Sequence, residues 1–558
     1  MNLFGWSMKK RLKSWLIEQL LTRSVLINLF KTVHFFNCIV FLLKLLLMHI
    51  IPRSLLILIL VTAYQKAAGQ PDSLRRTTQA FVEAGALGKS GPAVPFWQRA
   101  NQYGTVPLAN SFVAVRAGIS SDYRPGRNRQ VDWGYGFDVV GNMGPIPANQ
   151  QVFLPEAYIK ARWRQLEIYV GRRKTIAGLV DTLLTSGAYA MSGNALPLPT
   201  IQIGTRGYVP LPFTKGAISI NATFANAWFE TENRKVYHTL MQQSTLYIRI
   251  GRPSGAVRVY GGINHQVTWN GYSPYIASGL SNNGQLPSSF KAYLYAITSL
   301  PNSNAAVDGN VTSFDETNRI GNHLGSLDVG AEFDVGDYTI FVYRQNPYDT
   351  GAIWYLTTIA DGLNGLSIRR KTRGASFISV DRALVEFLYT ANQGGSEFVI
   401  EDPKRRGKVD YFNNSQYIDG WTTRAHTIGT PFLTPEGDIN PAIPYGPIVN
   451  NRVSMVHAGV NGRVGEKAVW LLKLSYSQNL GTYNAPLPGF PRQFSGLLKV
   501  SAPVQLPVVG LLHINATVAT DQGALLPNST GGYIGLRKDW SSGRQKIPVR
   551  KSQGGFSH

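Results

Sequence analysis

The stretch Ala157-Tyr-Ile-Lys-Ala-Arg-Trp-Arg164 decides how this chain reads. Successive side chains of a strand point to opposite faces, so Ala157, Ile159, Ala161 and Trp163 share one side, and Tyr158, Lys160, Arg162 and Arg164 the other. The same period recurs in both directions. Ile218, Ile220, Ala222 and Phe224 oppose Ser219, Asn221, Thr223 and Ala225, and Leu246, Ile248 and Ile250 oppose Thr245, Tyr247 and Arg249. Further segments of this kind begin near Ser111, Val131, Val257, Leu324, Tyr338, Ile353, Phe377, Val385, Val453, Val469, Gly496, Leu511 and Gly532. Clusters of Gly, Asn, Asp, Ser and Pro separate them, as turns require.

Such a pattern fits a soluble sandwich array or propeller, or a transmembrane antiparallel β-barrel with one strand face in lipid and the other on a polar lumen. Three features favour the barrel. The strands are long enough to cross a bilayer when tilted. Tyr and Trp recur near strand ends, where interfacial girdles lie. Tight turns such as Val335-Gly-Asp-Tyr338 alternate with long irregular segments, as periplasmic turns alternate with extracellular loops. No repeat of fixed period supports a propeller. The expectation is an all-β barrel of about 18 strands (16–18), taking roughly 25–28 residues per strand and loop and an even strand count.

The ends read differently. Residues 1–69 hold nine Lys/Arg against Glu18 alone. Ser54-Leu-Leu-Ile-Leu-Ile-Leu-Val-Thr-Ala63, behind Arg53 and ahead of Ala67 and Gly69, has the anatomy of a secretory signal cleaved before Gln70. Residues 48–69 are thus expected to be the signal peptide and 1–47 an over-extended gene model or N-terminal extension. A membrane anchor over residues 35–63 is the alternative, but Lys44, His49, Pro52 and Arg53 interrupt it. Thr77-Thr-Gln-Ala-Phe-Val-Glu-Ala-Gly-Ala-Leu-Gly-Lys89 suggests a short helix, so residues 70–104 are expected as a helical or irregular segment on the periplasmic side or inside the barrel, 105–540 as the barrel and 541–558 as a basic disordered tail.

Composition narrows the chemistry. Charged residues make up only 16% of the 558, against 44% hydrophobic and 11% aromatic, which excludes a disordered chain. The single cysteine, Cys38, excludes an internal disulfide and a cysteine-built metal site. No HExxH or GxSxG occurs, no histidines are spaced as metal ligands, and Gly85-Ala-Leu-Gly-Lys-Ser90 lacks the leading glycine of a phosphate loop. No catalytic residue, cofactor or metal is expected. The 489 residues after Gly69 carry a net charge of +15. Export argues against nucleic acid, leaving an acidic polysaccharide or lipopolysaccharide as the electrostatic complement, or merely a solvated surface.

Five blocks resemble the Wzi family of outer-membrane capsule-assembly proteins. They are Pro95-Phe-Trp-Gln-Arg-Ala-Asn-Gln-Tyr-Gly104; Gly187 to Gly204 leading into Tyr208-Val-Pro210; Gly262-Ile-Asn-His-Gln-Val-Thr-Trp-Asn-Gly271; Tyr343 to Asp349 with Asp361 to Leu366; and Asp410 to Tyr417 with Gly420-Trp-Thr422 and Gly429-Thr-Pro431. In order, they cover roughly residues 94 to 540. The resemblance implies an eighteen-stranded barrel with short helical elements on its periplasmic side, in the outer membrane of a Gram-negative bacterium. It also implies a lectin-like, non-enzymatic role in capsule assembly or attachment. The N-terminal extension, the basic tail and the short helical part before Phe96 depart from the family.

Sugars are recognised by aromatic faces and by amide, carboxylate, guanidinium or imidazole groups that hydrogen-bond hydroxyls. The stretch from Asp410 to His426 carries that set: Asp410, Tyr411, Asn413, Asn414, Tyr417, Trp421, Arg424 and His426. His265, Trp269 and Asn270 form a second candidate. Each group has an alternative role in packing loops at the barrel mouth. The expected partners are capsular or other surface polysaccharide, outer-membrane lipid and the polysaccharide-export machinery. The rival functions are a porin or sugar channel, and a barrel hydrolase acting on lipid or glycan.

Overall fold

The computed structural model describes residues 76–542, apart from 125–129, 145–150, 302–308, 350–352, 354, 375, 400, 441–445 and 508. The gene-model, signal-peptide and tail expectations for 1–47, 48–69 and 541–558 fall almost wholly outside these residues. Eighteen antiparallel strands close into one barrel. In chain order they are β1 Thr78–Ser90, β2 Phe112–Ser121, β3 Val131–Met143, β4 Gln151–Trp163, β5 Leu166–Arg172, β6 Thr200–Thr205 (extended by Val209–Pro210), β7 Ile218–Trp228, β8 Leu240–Ile250 and β9 Val257–Trp269. They continue as β10 Asn322–Val335, β11 Tyr338–Tyr348, β12 Gly362–Arg370, β13 Ile378–Tyr389, β14 Val453–Val464, β15 Ala468–Asn479, β16 Arg492–Leu506, β17 Gly510–Gly523 and β18 Ser529–Ser542. Closure runs from Thr78↔Ser542 to Ser90↔Thr530, which removes every free sheet edge.

The wall is apolar outside and polar inside. Val152, Ile159, Val329, Val385, Val518 and Ile534 all face outward and are exposed. Trp133, Trp163 and Trp540 lie outward near one rim, and Trp228 and Tyr476 near the other. These are the lipid band and aromatic girdles of a membrane barrel. Among the described residues no helix is long and apolar enough to cross a membrane. The inner wall has its own packing device. The rings of Phe81, Tyr158, Tyr247 and Tyr343 lie over the directly paired glycines Gly118, Gly136, Gly262 and Gly365, filling the space where a Cβ would stand.

Two expectations are corrected here. Thr78–Ser90 is not a helix but the first barrel strand, so the barrel begins well before residue 105. Its Ala, Gln, Glu and Leu favour helix locally, yet β2 and β18 satisfy its backbone on both edges and outweigh that preference. The strand expected near Ile353 begins instead at Gly362, because residues 356–360 form turns.

The two rims differ. At the rim carrying both ends of the barrel, two or three residues join β4 to β5, β10 to β11, β14 to β15 and β16 to β17. At the opposite rim, long connections follow β1, β5, β9 and β13. The α-helices α1 Phe96–Arg99, α2 Phe290–Thr298 and α3 Ser313–Thr317 all lie in these long connections. They therefore sit at the far rim, not on the short-turn, periplasmic side where helical elements were expected.

A plugged lumen and its candidate binding surfaces

The long connections turn inward. Of the far-rim connections taken in chain order, Phe96 and Trp97 from the first (after β1), Leu179, Val180 and Leu184 from the third (after β5), and Phe432 from the seventh (after β13) pack against wall residues such as Tyr260, Tyr343 and Met455 in one buried cluster. Tyr189, Tyr411, Phe412, Trp421 and Leu433 form a second. Apolar surface that a hollow barrel would leave wet is thus removed from water.

Three buried carboxylates pin the third connection to the wall. Asp328 on β10 accepts hydrogen bonds from Leu179 N (2.8 Å), Tyr247 Oη (3.0 Å) and Gln345 Nε2 (3.0 Å). Glu386 on β13 accepts from Ser186 N (2.6 Å), Thr185 Oγ1 (2.7 Å) and Tyr343 Oη (2.5 Å). Asp181 of the plug accepts from Ser367 Oγ (2.6 Å) and Arg382 Nη1 (2.8 Å). A buried carboxylate is tolerated only with several such donors. Asp361, at the end of the connection between β11 and β12, takes the backbone N–H groups of Asn392 and Gln393 and the Tyr411 hydroxyl (2.7 Å), all from the connection after β13. Burial raises the Asp361 pKa despite these donors. None of these four acids was among the sequence candidates. For Asp328 and Glu386 the signal is an isolated carboxylate between apolar positions of a strand, whereas Asp181 and Asp361 lie in connections and carry no such mark.

The expected sugar-binding stretch belongs largely to this plug, which corrects the role read for its aromatics. Tyr411, Tyr417 and Trp421 are buried and present no surface to an outside ligand. Tyr417 packs with Val236, Ile276 and Leu286, and Trp421 with Tyr411 and Tyr189. Asp410 accepts from Asn413 (3.0 Å) and Asn451 (2.6 Å), while Asn413 also bonds both backbone groups of Ile448. Asn414 caps its own turn through Gln416 N and Tyr417 N. Arg424 stands exposed at the tip of a small hairpin, in a left-handed conformation, and ion-pairs with Glu230, which Arg172 of β5 also engages. His426, on the same hairpin, is half-buried, and burial holds its imidazole below the usual pKa.

The second candidate separates across the wall. Asn264 and Gln266 face the lumen, where Gln266 Nε2 donates to Ala190 O of the plug (2.8 Å). His265 and Trp269 therefore face outward, where α2 covers this part of the wall through Val267, Ala292 and Ala296. His323 Nε2 donates to Ile320 O (3.1 Å), leaving Nδ1 to accept from His265 Nε2 (3.0 Å), and Ser299 Oγ sits beside both. This satisfies the histidines beneath the helix. Trp269 packs on Tyr293 at 4.9 Å. Asn270, at φ 61°, turns the chain and donates to His238 O. Beyond it, Tyr272 and Tyr275 expose their rings at the far rim, and sequence reading passed over both. Among the described residues no group of three or more His, Cys, Asp or Glu is placed to hold a metal.

No family model matches the chain, and no curated protein matches it in sequence. Solved structures match it in fold. One is Wzi, described as an outer-membrane protein involved in group 1 capsule assembly in Escherichia coli and a carbohydrate-binding β-barrel. It is 12% identical, with a TM-score of 0.52, and the match covers 85% of this chain and 86% of that one. Pseudomonas aeruginosa OccK5 aligns with a TM-score of 0.34 at 8% identity, over 84% of this chain and 98% of that one. Vibrio cholerae OmpT aligns with a TM-score of 0.31 at 8% identity, over 83% and 98%. The chain is an eighteen-stranded transmembrane-type β-barrel whose fold resembles that of Wzi.

Proposed function

We propose that this barrel binds surface polysaccharide and assists capsule assembly or attachment, without catalysing a reaction. The filled lumen carries this reading. A porin needs a continuous wet path, whereas here apolar side chains and three pinned carboxylates occupy the interior. What the plugged barrel offers to a ligand outside is the far-rim surface. Tyr272 and Tyr275 supply aromatic faces there, and Asn270 and Arg424 hydrogen-bonding groups. Weak contacts of this kind gain strength along a repeating polymer through effective concentration. The resemblance in fold to a carbohydrate-binding barrel supports the same reading.

The test is polysaccharide retention on cells that lack the protein or carry Tyr272→Ala with Tyr275→Ala, with folded barrel confirmed by heat-modifiable migration. Shedding into the medium while synthesis continues supports attachment. Unchanged retention in the deletion refutes it. The purified barrel in a planar bilayer separates the channel alternative: a steady open conductance would favour transport.

A further inference from the structure

The short-turn rim holds a cluster that the plug does not use. Tyr123, just after β2, stands against the inner faces of β4 to β6. Its ring centroid lies 4.6 Å from Lys160 Nζ, 4.6 Å from the Arg206 guanidinium and 5.0 Å from that of Arg162. Its hydroxyl donates to Glu167 (2.6 Å), which also pairs with Arg173 (2.6 Å), and Lys160 pairs with Asp122 (2.7 Å). Asp132, across the strand pair from Arg162, is taken by Arg76 (3.0 Å), so three carboxylates face five cations. Among the described residues neither Arg162 nor Arg206 is in an ion pair, and the buried Nε of Arg162 has no hydrogen-bond partner. Arg206 is exposed at the rim.

A surplus of two guanidiniums over one aromatic ring is a receptor for planar anions, because the fork of N–H groups matches a carboxylate and no proton can be lost to relieve the charge. Low-dielectric walls around such a mouth focus its field on approaching anions. The position selects among anions. Lys160 and Arg162 share the lumenal face of β4, whereas Ile159 and Trp163 hold its lipid face, so a bilayer headgroup is not presented to them.

We propose that this short-turn mouth is a binding site for the carboxylate groups of an acidic, uronate-type glycan, with Arg162 and Arg206 as its contacts. The proposal rests on the polysaccharide reading above and adds to it the charge class of the glycan and a second contact surface, at the opposite rim. The test uses the purified full-length barrel and a fluorescently labelled oligogalacturonate, followed by anisotropy at low and moderate salt. A neutral maltooligosaccharide and inorganic phosphate serve as comparators.

The wild type should bind oligogalacturonate in a salt-sensitive way and ignore the neutral chain. Arg162→Gln with Arg206→Gln should weaken binding at least tenfold and flatten its salt dependence. Arg162→Lys with Arg206→Lys, which keeps both charges but not the fork, should restore the salt dependence and only part of the affinity, and this separates charge from folding. Wild-type affinity in the Gln variant overturns the proposal, as does absence of binding by the wild type. Equal binding of the neutral chain, or competition by phosphate at equal concentration, overturns the glycan assignment. If Tyr272→Ala with Tyr275→Ala weakens binding and the Gln pair does not, the inner site fails while the polysaccharide reading stands. Loss of retention in the cellular deletion is read independently of either.

Discussion

Replacing Glu386 by Gln should loosen the plug and spare the barrel. The Glu386 carboxylate accepts three hydrogen bonds, and two of them, from Thr185 and Ser186, come from the third connection. A hydrogen bond to a charged acceptor contributes about 1.5–3 kcal/mol. The amide keeps one acceptor oxygen but turns an NH2 group toward a donor, so about one plug bond is lost and one mismatch is introduced. The expected cost is about 3 kcal/mol, which raises the undocked population of the plug roughly 100-fold. The wall should not feel this, because the ladders on both sides of β13 are regular around Glu386, the one irregularity lying at Val380–Arg382. Hydrogen exchange should therefore quicken across residues 179–186 and remain slow in β13. Planar bilayers holding the variant should show brief openings that the wild type lacks. Unchanged exchange at 179–186 with a silent bilayer would refute the idea that this carboxylate pins the plug. Uniform loss of protection along the strands would show that Glu386 supports the wall instead.

Trp421→Ala removes a fully buried side chain from the second plug cluster and should cost about 3–5 kcal/mol. A lower near-UV melting temperature with unaltered heat-modifiable migration is the expected sign. Gly365→Ala sets a methyl group against the Tyr343 ring and should cost about 1–3 kcal/mol by overpacking, seen as a lower thermal midpoint that Tyr343→Ala partly restores. Burial raises the Glu230 pKa, but its bonds from Arg172 and Arg424 outweigh burial and leave it below the usual 4.5. A depressed folded pKa means stability that is present above the unfolded value and is lost as pH falls through the folded one. Docking of the Arg424 hairpin should thus be intact at neutral pH and weaken below about pH 4.5, measured as hydrogen exchange at Thr422–Thr427. Arg424→Gln should abolish most of that acid dependence, and a persistent one would point to another carboxylate.

The period-two alternation, seen most plainly at 157–164, established the strands, because a strand between two faces must change polarity at every residue, and strand length, terminal aromatics and turn asymmetry pointed to a membrane barrel. Turn lengths set which rim is which for the same local reason. Thr78–Ser90 misled because its residues favour helix, and only pairing with strands distant in sequence made it extended. The candidate site was legible as composition and not as geometry. Tyr411, Tyr417 and Trp421 have the residue types of a sugar platform, but those types also fill cores, and no local pattern tells which way a long loop folds. That direction is decided by Asp328, Glu386, Asp181 and Asp361, whose donors lie on segments far away in the chain. The unpaired arginines at the short-turn mouth are visible singly in the sequence, and their meeting around Tyr123 depends on the register of neighbouring strands. Local chemistry determined the wall of this protein. Its closed interior and the charge left over at its rim were decided by contacts that exist only once the barrel has closed.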